Sequence, residues 1–169
     1  LGNLWHWLNP WSGLYAMIAP DWRQRPVPER WGVWPATLLL LAFAAFLLAD
    51  IAPDAPDRLA RFVLIYWAVM MAGLLFAGTS WLTRVELGHV IFGTYAKLTA
   101  YSAKGFGGPG WQLLRPQPVG AGAFALSLLA VGSFDGINET FWWLGLIGVN
   151  PLEFPGRSAV YMQTLAGLT

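Results

Sequence analysis

Two stretches, Val33–Ala49 (VWPATLLLLAFAAFLLA) and Phe62–Thr79 (FVLIYWAVMMAGLLFAGT), contain no charged residue, and no other property of the chain narrows its fold as much. At 1.5 Å per residue the first extends about 25 Å, close to the hydrocarbon thickness of a bilayer, with Trp31 and Asp50 placed to mark its ends. Backbone that crosses hydrocarbon must satisfy its own hydrogen bonds, which here means α-helix. Pro35 falls in the first turn of such a helix, where a missing N–H costs little. A short, acidic, proline-broken connection, Asp50–Arg61 (DIAPDAPDRLAR), joins the two runs. A transmembrane helical hairpin follows. A third apolar run, Gly120–Phe134 (GAGAFALSLLAVGSF), is shorter and rich in small residues. The fold expected is all-α: a polytopic helical membrane protein with about three clear spans plus amphipathic or re-entrant helices.

Composition agrees. Only 11% of the 169 residues are charged, against about 25% in soluble domains, too few to cover a wet surface. Eleven tryptophans suit an interface where the ring sits among headgroups and its N–H finds a partner. The net charge of +1 leaves no footprint for nucleic acid. Absence of cysteine removes disulfides, thiolate metal sites and Cys nucleophiles, and the two histidines, His6 and His89, cap any metal chemistry. The chain opens on Leu1 without a signal-peptide pattern and closes on SAVYMQTLAGLT, which reads as a helix of less than spanning length with Ser158 as N-cap. Both features suggest a fragment of a longer polytopic chain.

Four stretches organise the sequence. Residues 1–31 form a Trp- and Pro-rich interfacial lead-in with Trp5, Trp7, Trp11 and Trp22, closing on Arg23, Arg25 and Arg30. Residues 32–79 hold the hairpin, in which Ala72, Gly73, Ala77 and Gly78 suggest a surface for close helix approach. Residues 80–118 combine an amphipathic helix over Trp81–Tyr101, whose Glu86, His89, Gly93 and Lys97 make one narrow polar stripe, with a Gly-rich loop carrying Lys104 and Arg115. That helix either lies at the cytoplasmic face, partly re-entrant, or makes a full crossing. Residues 119–169 hold the third span, an interfacial or re-entrant turn through Asp135–Val149, and the start of a further helix. The arginines before the first span put the N-terminal side in the cytoplasm and the acidic loop in the periplasm. The expected location is therefore a bacterial inner membrane, crossed several times.

Three groups of residues could carry chemistry. Glu86 and His89 at Glu-x-x-His spacing would share a helical face as metal ligands, although di-iron bundles need two such motifs and further glutamates. The bland reading is a hydrogen-bonded Glu–His pair, with Lys97 nearby, satisfying a buried stripe. His89 beside Gly88 could instead ligate a haem iron or chlorophyll magnesium. Asp135, Asn138 and Glu139 form a polar cluster at the mouth of the third span, either a cation or proton site or solvated interfacial acids with Asp135 capping the next turn. Asn138-Glu139-Thr140 also fits a glycosylation acceptor, a weak pattern. No Walker loop and no G-x-S-x-G elbow is present.

Asn9-Pro10-Trp11, the Gly32–Ala36 opening (GVWPA) of the first span, the Glu86 helix, SFDGINET (Ser133–Thr140) and NPLEFPGRS (Asn150–Ser158) resemble a family of bacterial polytopic membrane proteins catalogued as fenitrothion hydrolases. The resemblance implies a multi-pass inner-membrane fold over most of the chain and, by the family's name, hydrolysis of organophosphate esters. Soluble enzymes of that activity use a two-metal site with several histidines, so no catalytic residue carries over. The preferred function is a structural or accessory membrane subunit, with no complete catalytic set in this portion. Its partners are the lipid bilayer and other membrane protein chains or the rest of its own chain. The alternatives are a pigment- or haem-binding subunit using His89 and a metal-dependent membrane phosphotriester hydrolase. No cofactor is fixed by these residues.

Overall fold

A computed structural model describes residues 5–18, 24–102, 105–153 and 156–168, leaving aside the side chains of His6 and Trp7. Trp22, Arg23, Lys104 and Pro155 of the sequence argument lie outside the described residues. The chain is predominantly helical. Its helices are α1 (Trp5–Leu8), α2 (Pro10–Ile18), α3 (Trp34–Ala49), α4 (Pro56–Ala77), α5 (Thr79–Arg84), α6 (Leu87–Ala96), α7 (Ala121–Ile137), α8 (Phe141–Leu146) and α9 (Tyr161–Gly167). One two-stranded antiparallel pair, β1 (Tyr101–Ser102) and β2 (Gly105–Phe106), lies between α6 and α7.

The apolar runs set the long helices. Pro35 and Pro56 stand in the first turns of α3 and α4, where proline fixes φ without losing a helical hydrogen bond. Asp57 adds a favourable negative charge at the start of α4. Gly78, at φ +66°, ends α4 and starts α5 in one turn. α4 is the one described helix long and apolar enough to cross a membrane; α3 and α7, at 16 and 17 residues, are shorter apolar helices.

Among the described residues the core has two centres. Trp11, Met70, Met71, Leu74, Leu82 and Val85 bring α2, α4 and α5 together. Val33, Ala36, Leu40, Leu87, Val90 and Phe124 bring α3, α6 and α7 together, and Tyr66 packs against both. α3 therefore lies chiefly on α7. It meets α4 through stacked rings near the connecting loop, where Phe46 and Phe62 lie 4.3 Å apart at 11°. The expected hairpin is splayed, and a cavity opens between its arms.

Three expectations change here. The helix read over Trp81–Tyr101 is broken: α5 stops at Arg84, and α6 begins after Glu86, whose backbone is extended (φ −70°, ψ 121°). The polar stripe is thus not one helical face. Gly73, read as a surface for helix approach, is covered from within, since a Cβ there would lie 2.0 Å from the Trp81 ring. At the C-terminal end, Arg157–Val160 is a 3-10 turn before α9, and Ser158 sits inside that turn rather than capping a helix.

The connection between α3 and α4 is held by Asp50. Its carboxylate accepts from the Ala52 N–H at 3.0 Å and pairs with Arg58. The Ala52 hydrogen bond first, and Arg58 with it, hold this carboxyl below its usual value of 3.8. A carboxyl depressed in the folded state stabilises fully above its unfolded pKa, and the contribution fades as pH falls to the lower folded value. Asp50→Asn should therefore lower thermal stability at pH 7. The difference from the parent protein should persist down to about pH 5 and shrink only below the unfolded carboxylate value. Paired melting curves in one detergent from pH 7 to 3 check this; a gap that does not change with pH would contradict it.

Candidate functional site

Glu86 is the most deeply buried charged residue described, 1% exposed, and it organises the site. As N-cap of α6 its carboxylate turns back on its own helix, accepting from the backbone N–H groups of Gly88 (2.8 Å, Oε1) and His89 (2.6 Å, Oε2). These are two of the donors that a helix start leaves without partners. Three side chains complete the shell. Trp5 Nε1 donates to Oε2 at 2.7 Å, Asn9 Nδ2 to the same oxygen at 3.4 Å, and the Tyr66 hydroxyl to Oε1 at 3.1 Å.

Each donor has a local reason for its place. Asn9-Pro10 is a helix start: Asn9 Oδ1 accepts from the Trp11 N–H at 3.0 Å, and Pro10 opens α2. The amide nitrogen of Asn9 is then free to reach Glu86. Trp5 lies over Gly88, where a Cβ would come within 2.5 Å of the indole, and stacks on Phe92 at 5.5 Å. Gly88 is thus small because an indole must cross it to reach the carboxylate. Tyr66 supplies a polar atom from the apolar run of α4, with the Trp11 ring edge-on at 5.7 Å.

Beside this shell lies an open cavity of about 660 Å³, set between α3 and α4 and bordered by α6 and α7. Glu86 and Tyr66 stand on its wall, Phe43 and Phe62 form much of its apolar lining, and Asp135 of α7 lies at its far end. Asp135 also borders a second cavity of about 560 Å³ with Asn138, Glu139 and Arg157.

The residues singled out in the sequence are partly brought together. Glu86 and His89 meet through the His89 backbone N–H, but the two residues line different cavities. The one bordered by His89 measures about 160 Å³, below the roughly 300 Å³ at which small-molecule pockets begin. Both Glu86 oxygens are occupied by donors, leaving no ready lone pair for a metal ion. In the second cluster, Asn138 is buried and ends α7, while Glu139 is engaged by Arg157 Nη2 at 2.9 Å and Nε at 3.2 Å. Thr140, not Asp135, caps the following helix, accepting from the Trp143 N–H at 3.3 Å. Among the described residues no group of three or more His, Asp or Glu side chains could hold a metal ion.

Trp5, Asn9 and Tyr66 escaped the sequence argument as site residues. Two signals pointed to them: the Asn-Pro helix start, and a lone hydroxyl in an uncharged span, which needs a partner. Compared with protein-family models, curated proteins and solved structures, the chain matches none of them.

Proposed function

We propose that this chain is a multi-pass part of a bacterial inner-membrane protein, acting as a structural or accessory unit whose helices α3, α4 and α7 cross the bilayer. One observation carries the reading: the outer faces of these helices are apolar. Val63, Leu64, Ile65 and Phe76 of α4, Leu38 of α3, and Leu126 and Leu129 of α7 are each more than half exposed. Only 22% of the apolar window of α4 is buried against the rest of the chain. Apolar area left in water costs about 25 cal/mol per Å², so such faces call for lipid or for other membrane helices.

Charge distribution supports an orientation. Arg25, Arg30, Arg84, Lys97 and Arg115 belong to the end where α3 and α7 begin and α4 stops, an end tied together by Val33 N–Val119 O (2.9 Å) and Arg25 N–Phe76 O (3.0 Å). Asp50, Asp54, Asp57, Asp135 and Glu139 belong to the other, whose described basic residues are Arg58, Arg61 and Arg157, three against five; acids pair with arginines at both ends, Glu29 with Arg84 at the first. An excess of Arg and Lys marks the cytoplasmic side. The resemblance to the fenitrothion hydrolases agrees with this placement, and ester hydrolysis is not part of the proposal because Glu86 is consumed by its donors.

The chain has no cysteine, so each introduced one reports by itself. In spheroplasts, Asp54→Cys should react with an impermeant maleimide, whereas Arg115→Cys should react only after the membrane is opened. Equal labelling of both positions in intact cells, or recovery of the chain in the carbonate-soluble fraction, would overturn the reading.

A further inference from the structure

Among the described residues, the cavity between α3 and α4 has two carboxylates on its wall, Glu86 and Asp135, and no Lys, Arg or His. Six aromatic side chains, Trp5, Trp11, Phe43, Phe62, Tyr66 and Tyr95, form much of the remainder. The donors around Glu86 are all neutral, and among the described residues no cationic side chain pairs with it. Five dipolar donors stabilise its carboxylate, but no described cation neutralises it. The carboxylate of Asp135, which is exposed, has no hydrogen bond or ion pair with any described residue.

We propose that this cavity binds a lipophilic organic cation, an aromatic or branched apolar body carrying one quaternary or delocalised positive charge. The volume lies within the range of small-molecule pockets. Aromatic faces attract cations through their quadrupoles, and two carboxylates with no cationic partner among the described residues set the sign of the field. The saturated shell of Glu86 narrows the choice further. A primary ammonium or a metal ion asks for free oxygen lone pairs, which the described wall offers only at exposed Asp135 and not at Glu86 beside the rings. A quaternary or delocalised cation asks only for field and ring faces, and the cavity offers both. Asp135 at the mouth steers the cation in.

Tetraphenylphosphonium is a suitable probe, and tetraphenylborate, nearly the same shape with the opposite charge, is its control. The assay is equilibrium dialysis of the purified chain in a neutral detergent against protein-free detergent, so the outcome does not depend on the protein's orientation in a membrane. The phosphonium should bind above the detergent baseline and the borate should not. Glu86→Gln should weaken binding by about tenfold and Asp135→Asn by a few-fold. Gly132 of α7 lines the cavity, and a Cβ there meets nothing within 4 Å, so Gly132→Trp should fill the space and abolish binding without a clash at its Cβ. Should Glu86→Gln fail to fold, the Asp135 and Gly132 variants decide the question. Equal uptake of both ions, or unchanged phosphonium binding in the folded variants, would overturn the proposal.

Discussion

Glu86→Ala should destabilise the protein by about 3–5 kcal/mol, among the largest single-residue effects in this chain. The substitution removes the N-cap of α6, by itself worth about 1 kcal/mol. It also leaves the Trp5 indole, the Tyr66 hydroxyl and the Gly88 and His89 N–H groups facing an apolar space with no acceptor. Each buried donor so abandoned costs about 1–3 kcal/mol, reduced where water enters from the adjoining cavity. Glu86→Gln retains one oxygen but turns an NH₂ group toward donors, so an intermediate loss is expected. Trp5→Phe and Tyr66→Phe, each removing one donor while the carboxylate keeps the rest, should cost less, about 0.5–1.5 kcal/mol from the lost hydrogen bond. Thermal melts in detergent, followed by tryptophan fluorescence, test the order alanine, then glutamine, then the donor variants. Indistinguishable melting of Glu86→Ala and the parent protein would mean that the shell contributes nothing to the fold.

That ordering also marks where the sequence was readable. Uncharged runs located α3 and α7 within a few residues, because helix length and apolarity are local properties, whereas α4 begins at Pro56, inside the stretch read as a connection, because its charged first turn hides the start. The break at Glu86 is not local. Helical periodicity runs through residues 81–101, and only the tertiary shell of Trp5, Asn9 and Tyr66 makes it favourable for Glu86 to stop one helix and cap the next. Periodicity placed Glu86 and His89 on a common face, but a cap residue folds its side chain back along the backbone and leaves that face. Small residues misled in a similar way. Gly73 suggested helix–helix contact and Gly88 room for a porphyrin beside His89, yet each accommodates a tryptophan of this same chain. A glycine's need for space is visible in the sequence; what fills the space is not. The cavity was invisible for a related reason, since it exists only because α3 turns toward α7 and away from its neighbour in sequence.

Gly32→Ala should destabilise the protein by about 3–5 kcal/mol, for reasons of backbone rather than side chain. Gly32 links the 3-10 turn Glu29–Trp31 to α3 at φ 51° and ψ −124°, a conformation that side-chain-bearing residues avoid at a cost of about 1–3 kcal/mol. The added Cβ would also lie 1.9 Å from the Val119 carbonyl oxygen and 2.6 Å from its carbon. These are backbone atoms and cannot swing aside as a flexible side chain would. The same carbonyl accepts the Val33 N–H at 2.9 Å, the bond that fixes the start of α3 beside the start of α7. Moving it would disturb the packing of Val33 and Ala36 around Phe124, which is fully buried. Gly132→Ala is the matched control: it lies in the interior of α7, a Cβ there meets nothing within 4 Å, and alanine in a helix interior should stabilise by about 0.5–1 kcal/mol. Opposite shifts in melting temperature for the two glycine-to-alanine changes are the expected result. A Gly32→Ala protein as stable as its parent would mean that the junction between α3 and α7 relaxes freely, and that the core around Phe124 does not depend on it.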